Sequence, residues 1–428
     1  MIKILSSTDK AFKTAMKKIA GRAGRSSGKV ETTVRTILKA VERGGDAAIS
    51  RYTKKFDRVS LKPQQFRVSP QQIKEAYYQI RKEEGDALRY AAQRGMVFHE
   101  RQRAKTWMYQ DNGATLGQMV VPMDAVGLYV PGGKAAYPSS VLMCAIPAKV
   151  AGVKRVVMCT PAPKGVVSPY LLVAADIAGV DEVYRIGGVQ AVGAMAYGTK
   201  TIARVDAIVG PGNIFVATAK RLLYGTVALD MVAGPSELLV VADEQSNPVH
   251  VAADMLCEAE HDEEAQVWLV TVSERLARDV VRQLNEQVKR LKRGPIISKS
   301  LARHAAVLVV GNMGGAIGVS NEIAPEHLAL SVERPFDYLE KIRHAGAIFL
   351  GRYTPPAVAD YVAGPNHVLP TGGTARFFSP LSVDDYVKKS NLISYSKEEL
   401  TRVKDHLARI ANMEGLDAHA KSLESRFS

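Results

Sequence analysis

Beyond about residue 115 the chain alternates short β-branched runs with helical stretches, and this alternation restricts it to an α/β fold with largely parallel sheets. The runs are Arg155 to Met158, Val183 to Ile186, Ala207 to Val209, Leu238 to Val241, Val267 to Thr271, Ala306 to Val309 and Ala347 to Leu350. The first 110 residues read as helix-rich instead. Val34, Ile37, Leu38 and Val41 make a helical stripe that Gly44-Gly45 should stop, and Lys74 to Gln93 reads as a second, charged helix. At 428 residues the chain exceeds one ordinary core. Two α/β units are expected, one over roughly 125–235 and one joining the earlier helices to roughly 236–375. Lys397 to Ile410 reads as a charged amphipathic helix ending near Gly415.

The net charge is +14. Such a surplus suits a nucleic-acid or anionic partner. Much of it, however, falls in exposed-looking helical stretches such as Lys10 to Arg25 and Lys289 to Arg293. No nucleic-acid-binding signature accompanies it, and no basic run is interleaved with stacking aromatics, so no nucleic-acid partner is expected. Cys144, Cys159 and Cys257 show no CxxC spacing, which argues against a disulfide framework and for a reducing cytosol. The uncharged stretch between His304 and Glu322 is broken by Asn312 and glycines, and is shorter than the ~20 apolar residues of a membrane span. No apolar leader core is evident, so the chain reads as cytoplasmic and free of the membrane.

Four groups of residues carry possible chemistry. Asn247-Pro248 opens a helix expected to run through Glu258 and His261, which share one face. Carboxylate plus imidazole three residues apart is a metal-ligand spacing, and also an ordinary solvated face. Glu326-His327 follows Pro325, read as the first turn of a helix, and places a carboxylate and an imidazole for proton transfer. An acidic first-turn residue beside a packed histidine gives the same pattern. Asp360 and His367 lie in a Pro/Gly-rich stretch after a strand, where α/β enzymes keep their sites. Glycine turns occur at Pro131-Gly132-Gly133, at Gly187-Gly188 ahead of Gln190, at Gly210-Pro211-Gly212-Asn213 and at Gly234-Pro235-Ser236-Glu237. Glycines before helix N-termini admit phosphates. Tight turns need glycine anyway, and no GxGxxG is present.

Taken together the chain resembles the histidinol dehydrogenases. The matching strings are Gly127-Leu-Tyr-Val-Pro-Gly-Gly133, Tyr137-Pro-Ser-Ser-Val-Leu-Met143, Gly187-Gly-Val-Gln-Ala191, Gly210-Pro-Gly-Asn213, Ala233-Gly-Pro-Ser-Glu237, Ala259-Glu-His261, Pro325-Glu-His-Leu328, Gly364-Pro-Asn-His-Val-Leu-Pro370 and Glu414-Gly-Leu-Asp-Ala-His419. They stand in family order and span nearly the whole chain.

The resemblance implies an intertwined homodimer of chains with two incomplete Rossmann-like domains and small N-terminal and C-terminal helical extensions. The expected layout is an N-terminal extension over 1–25, a first Rossmann-like domain from 26–125 with 236–380, a second over 126–235, and a C-terminal extension over 381–428 that reaches the partner. The implied reaction oxidises L-histidinol through the aldehyde to L-histidine, the last step of histidine biosynthesis, with NAD⁺ and Zn²⁺. By the resemblance His327 is the general base and Glu326 its water-activating partner. Glu258, His261, Asp360 and, from the other subunit, His419 hold zinc. Ser236, His367 and Glu414 contact substrate together with those catalytic and metal residues. Tyr129, Gln190 and Asn213 contact NAD.

One position departs from the family. Gln is usual where this chain has Glu258, which adds a negative charge at the metal and opens an alternative: a zinc- and NAD-dependent enzyme of the same fold acting on another small alcohol, such as a sulfonated diol. Cys257, beside it, is read as a buried, inert thiol.

Overall fold

The computed structural model describes residues 2–22, 28–132, 136–231 and 234–427. Arg25, Gly133 and Ala233, each part of a string singled out above, lie outside the described residues. In chain order the strands are β1 (Ile4–Ser6), β2 (Trp107–Asp111), β3 (Ala114–Pro122), β4 (Ala125–Tyr129), β5 (Arg155–Cys159), β6 (Glu182–Tyr184), β7 (Ala207–Val209), β8 (Ala228–Leu229), β9 (Glu237–Ala242), β10 (Gln266–Thr271), β11 (Ala306–Val309), β12 (His327–Ser331), β13 (Ala347–Leu350) and β14 (Val387–Tyr395). They fall into two compact units, residues 1–102 with 123–386 and residues 103–122 with 387–428.

The first unit holds two all-parallel sheets. One is six-stranded, in the order β1-β11-β10-β9-β12-β13. Side chains alternate across a strand, and β9 is apolar on both faces. Leu238 and Val240 pack under the helices Pro248–Ala259, Glu274–Gln287 and Gly294–His304, while Leu239 and Val241 pack under Lys10–Ala20 and Met313–Ile323. The other sheet is five-stranded, in the order β6-β5-β4-β7-β8. Val126 and Leu128 face the helices Pro138–Ala151 and Pro169–Ile177, while Tyr129, Val157 and Cys159 face Gly188–Tyr197 and Ile214–Leu223. Among the described residues no helix is long and apolar enough to cross a membrane.

Several expectations need correction. The helices between Gly28 and Glu100 were grouped with 236–380, but their apolar faces join the five-stranded sheet. Val34, Ile37, Leu38 and Val41 pack with Val189 and Val192, and Ala76 and Ala92 pack with the helices on the opposite face. The stretch before residue 25 is not a mere extension either: β1 is an edge strand of the six-stranded sheet and Phe12, Met16 and Ile19 enter its core. The expected stop at Gly44-Gly45, by contrast, is present: Gly45 is non-helical (φ 48°, ψ −130°), and Gly28–Asp57 is two helices joined across that break. The expected helix Lys74 to Gln93 is two helices, Pro70–Tyr77 and Lys82–Glu100.

The second unit is an antiparallel sheet, β14-β3-β2, with the helices Lys397–Met413 and Asp417–Glu424. The C-terminal segment is therefore not purely helical. β2 is exposed along its whole length, so it carries no burial alternation from which it could be read.

The turn after β7 shows what fixes a cavity-facing loop. Gly210 has φ 108°, and a Cβ there would lie 2.3 Å from the Tyr129 carbonyl oxygen, so only glycine fits. Asp230 accepts the Gly210 N–H (2.8 Å), Lys220 donates to the Gly210 carbonyl (2.9 Å), and Lys220 and Asp230 form a buried ion pair. Lys220→Met is expected to strand the Asp230 charge and cost about 3–5 kcal/mol. The measurement is the urea midpoint at unchanged slope; an unmoved midpoint would mean the pair does not support the loop.

Candidate active site

The cavity that gathers the singled-out residues lies within the first unit and has a volume of about 1880 Å³. One wall comes from the carboxyl ends of the five-stranded sheet, through Tyr129, Gly132 and Asn213. The other comes from the amino ends of the six-stranded sheet, through Ser236, Glu326 and His327, with His261, Asp360 and His367 beside them.

Glu326 and His327 do not open a helix. The helix Met313–Ile323 ends at Ala324, whose φ of 49° is left-handed, and His327 is the first residue of β12. The reason is pairing on both sides: His327 is in register with Leu238 of β9 and with Ala347 of β13. Gly346 permits this packing, since a Cβ there would lie 2.6 Å from the Glu326 carbonyl oxygen. The Glu326 carboxylate accepts the Glu237 N–H at 2.8 Å. His327 Nδ1 lies 2.9 Å from the Glu237 carbonyl oxygen. A carbonyl only accepts, so Nδ1 carries a proton and donates it, and whenever the ring is neutral the lone pair is on Nε2.

The helix Pro248–Ala259 begins as expected, with Asn247 accepting the Val249 N–H, but ends before His261. His261 and Glu258 are still together: Nδ1 to Oε1 is 3.2 Å. That is an ion-pair approach without hydrogen-bond alignment, because Glu258 Oε1 is buried with no hydrogen-bond partner among the described residues. His327 Nδ1 is 3.4 Å from the other Glu258 oxygen. Ligand atoms of Glu258, Glu326 and His327 all lie within 4.8 Å of one another, each residue buried. The expected ligands His261 and Asp360 stand on the cavity wall near this trio. Carboxylates and imidazoles without thiolate suit a borderline divalent cation, and the unmatched Glu258 oxygen gives it a coordination point.

Burial pushes the Glu258 carboxyl up, but His327, His261 and Ser236 outweigh it and hold it below its usual range. Glu326 goes the other way: burial and the charges of Glu258 and Glu237 push it well up. Burial also lifts Asp360, with His327 pulling back and Glu258 adding to the lift. For His261 burial opposes the charged form, yet Glu258 and Asp360 prevail and raise it to about 9. His367 is pushed down to about 4 by burial, and its Nε2 has no partner among the described residues. Burial and the adjoining carboxylates push Cys257 up to about 12, as an unreactive thiol requires.

The remaining candidates are placed as follows. Tyr129 is buried and its hydroxyl accepts the Gly188 N–H (3.0 Å), occupying the first turn of Gly188–Tyr197. Gln190 is buried in that helix, with Oε1 unmatched among the described residues, and does not line the cavity. Asn213 caps Ile214–Leu223, accepting from Phe215 and Val216. Glu414, the C-cap of Lys397–Met413, and His419, in the helix Asp417–Glu424, are exposed residues of the second unit.

Two residues that the sequence reading gave no role stand beside the trio. Glu237 supplies both backbone contacts just described, and Arg22, placed among exposed basic residues, is buried against it. Glu237 was visible at the end of a Gly-Pro-Ser-Glu string; nothing local marked Arg22.

Glu258 and Asp360 raise His261 to about 9, whereas a metal takes neutral imidazole. Metal affinity should therefore rise by about tenfold per pH unit below that value and level off above it. Competition with a zinc-sensitive chelator across that range measures this, and a flat profile would remove His261 from the ligand set.

The histidinol dehydrogenase family model matches residues 20–427. A histidinol dehydrogenase of Syntrophotalea carbinolica is 51% identical over 427 residues, covering 100% of this chain and 99% of its own. One of Bacillus cereus is 50% identical over 399 residues, covering 93% and 92%. The crystal structure of histidinol dehydrogenase from Elizabethkingia anophelis aligns with a TM-score of 0.94 at 35% identity, covering 100% of this chain and 98% of that one. A match over nearly the whole length, with about half of all positions shared, leaves one conclusion: the chain belongs to the histidinol dehydrogenase family.

Proposed function

We propose that this protein oxidises L-histidinol to L-histidine in two successive NAD⁺-linked steps, as a zinc-dependent homodimer in the cytoplasm. The observation that carries the reading is the Nδ1 bond from His327, a cavity-lining residue, to the Glu237 carbonyl, which reserves Nε2 of the neutral ring for accepting a proton. In the first step Nε2 takes the hydroxyl proton while a hydride leaves the carbinol carbon for NAD⁺. Nε2 releases that proton to solvent, water positioned by Glu326 and His327 adds to the aldehyde, and as the hydrate gives a second hydride to a second NAD⁺ the freed Nε2 takes the second proton.

Glu258, His261 and Asp360, with His419 of the partner subunit, would hold the zinc. Zinc there would supply a Lewis-acidic anchor that orients a nitrogen-bearing substrate. His367, Ser236 and Glu414 of the partner subunit would contact substrate. His367, kept neutral by burial, offers a ring nitrogen without adding charge. On the cofactor side, Asn213 spends its side-chain oxygen on its own helix, so NAD would meet its amide donors. Tyr129 shapes the adjoining wall and Gln190 packs beneath the Gly187-Gly188 turn. The relatives reported above share one name, and none points to another alcohol despite Glu258.

Zinc-loaded protein given L-histidinol and NAD⁺ should release two NADH for each histidine, and no turnover with zinc fully loaded would end the reading. His327→Ala should slow both oxidations by roughly 10²–10⁴-fold with zinc retained. Zinc lost from that variant would make His327 a ligand in place of a base. Glu326→Ala should harm aldehyde oxidation most, as rapid-quench product analysis can resolve.

A further inference from the structure

Arg22 and Glu237 form an ion pair with almost no exposure, 5% and 0% for the two side chains. The contact is bidentate, with Nε to Oε1 and a terminal nitrogen to Oε2 both 2.6 Å. Arg22 also donates to the carbonyls of Ile19 and Ile323, each at 2.9 Å, and to that of Ala324 at 3.5 Å. Its guanidinium lies 4.9 Å from the Trp268 ring centre. Glu237 in turn accepts the Gly372 N–H at 2.9 Å. One side chain thus grips the start of β9 and the end of the helix that delivers Pro325, Glu326 and His327.

The backbone of Glu237 is what orients that pair, its N–H on the Glu326 carboxylate and its carbonyl on His327 Nδ1. A buried ion pair contributes little net stability over a well-packed apolar replacement. A fork that ties two strand starts together does have a use where a proton acceptor must be held to within a fraction of an ångström. We propose that Arg22 and Glu237 are positioning residues for the Glu326–His327 pair, fixing the imidazole tautomer and its aim. This rests on the reading of His327 as the base.

Three proteins test it: the parent, Arg22→Met, and the double variant Arg22→Met/Glu237→Met. Two readouts are taken, steady-state kinetics and the His327 tautomer by imidazole ¹⁵N NMR, with His327→Asn assigning the signal. Arg22→Met leaves a buried charge and should melt lower. The double variant replaces the pair by apolar side chains and should regain thermal stability. If the pair only holds the fold together, that recovery restores activity. The proposal expects the double variant to keep kcat down by roughly 10–100-fold, with KM for NAD⁺ within about twofold of the parent. It also expects the fixed Nδ1–H tautomer to become a mixture. Parental kcat, or an unchanged tautomer, in the stable double variant overturns it. Should the parent not oxidise histidinol, the substrate reading fails, and the tautomer still decides the positioning role. If the double variant does not fold, Glu237→Gln, which keeps the shape and the Gly372 acceptor, is read by the same two measurements.

Discussion

Two hydrogen bonds to one peptide position hold the chemistry of this protein in register. The N–H and carbonyl of Glu237 reach Glu326 and His327, and they can do so only because β12 lies beside β9 with His327 opposite Leu238. Shifting that pairing by one residue would turn every side chain of β12 to the other face. The imidazole would leave the cavity and Leu328 would take its place. β9 and β12 are buried on both faces, so apolar alternation alone does not set their register; the polar contacts of Glu237 with Glu326 and His327 at the strand starts mark it, and the register aims the imidazole.

The same arrangement gathers acidic groups where they repel. Glu237, Glu258 and Glu326 are all buried. They are tolerated because each is answered differently: Glu237 by Arg22, Glu258 by the neighbouring imidazoles, and Glu326 by a carboxyl pushed well above its usual range. A divalent cation among Glu258, His261 and their neighbours would extend this pattern, replacing the proton on His261 as the counter-charge.

Much of this was legible from the chain alone. Seven strands of the two parallel sheets, β5, β6, β7, β9, β10, β11 and β13, stand out because burial on two faces demands β-branched runs, whereas β1, β4 and β8 do not; strings at the strand ends mark residues that the cavity brings together. The start of β12 was misread because Pro325 and a charged pair look like a helix opening, and only the flanking strands impose extension there. β2, β3 and β14 left little trace, since β2 is exposed throughout and β14 nearly so. Arg22 was invisible for a third reason. An arginine at the end of a basic helix resembles any solvated charge until its partner, 215 residues away, is known.

The edge strand β1 has a consequence for how such a chain is assembled on the ribosome. Ile4, Leu5 and Ser6 pair with Val307, Leu308 and Val309, so β1 is synthesised about 300 residues ahead of the strand it pairs with. The five-stranded sheet closes on partners drawn from residues 125–229, and can be complete long before β11 emerges. Nascent chains should therefore carry a paired five-stranded sheet and a waiting β1. The six-stranded half, and with it the grip of Arg22 on Glu237, comes together late in translation.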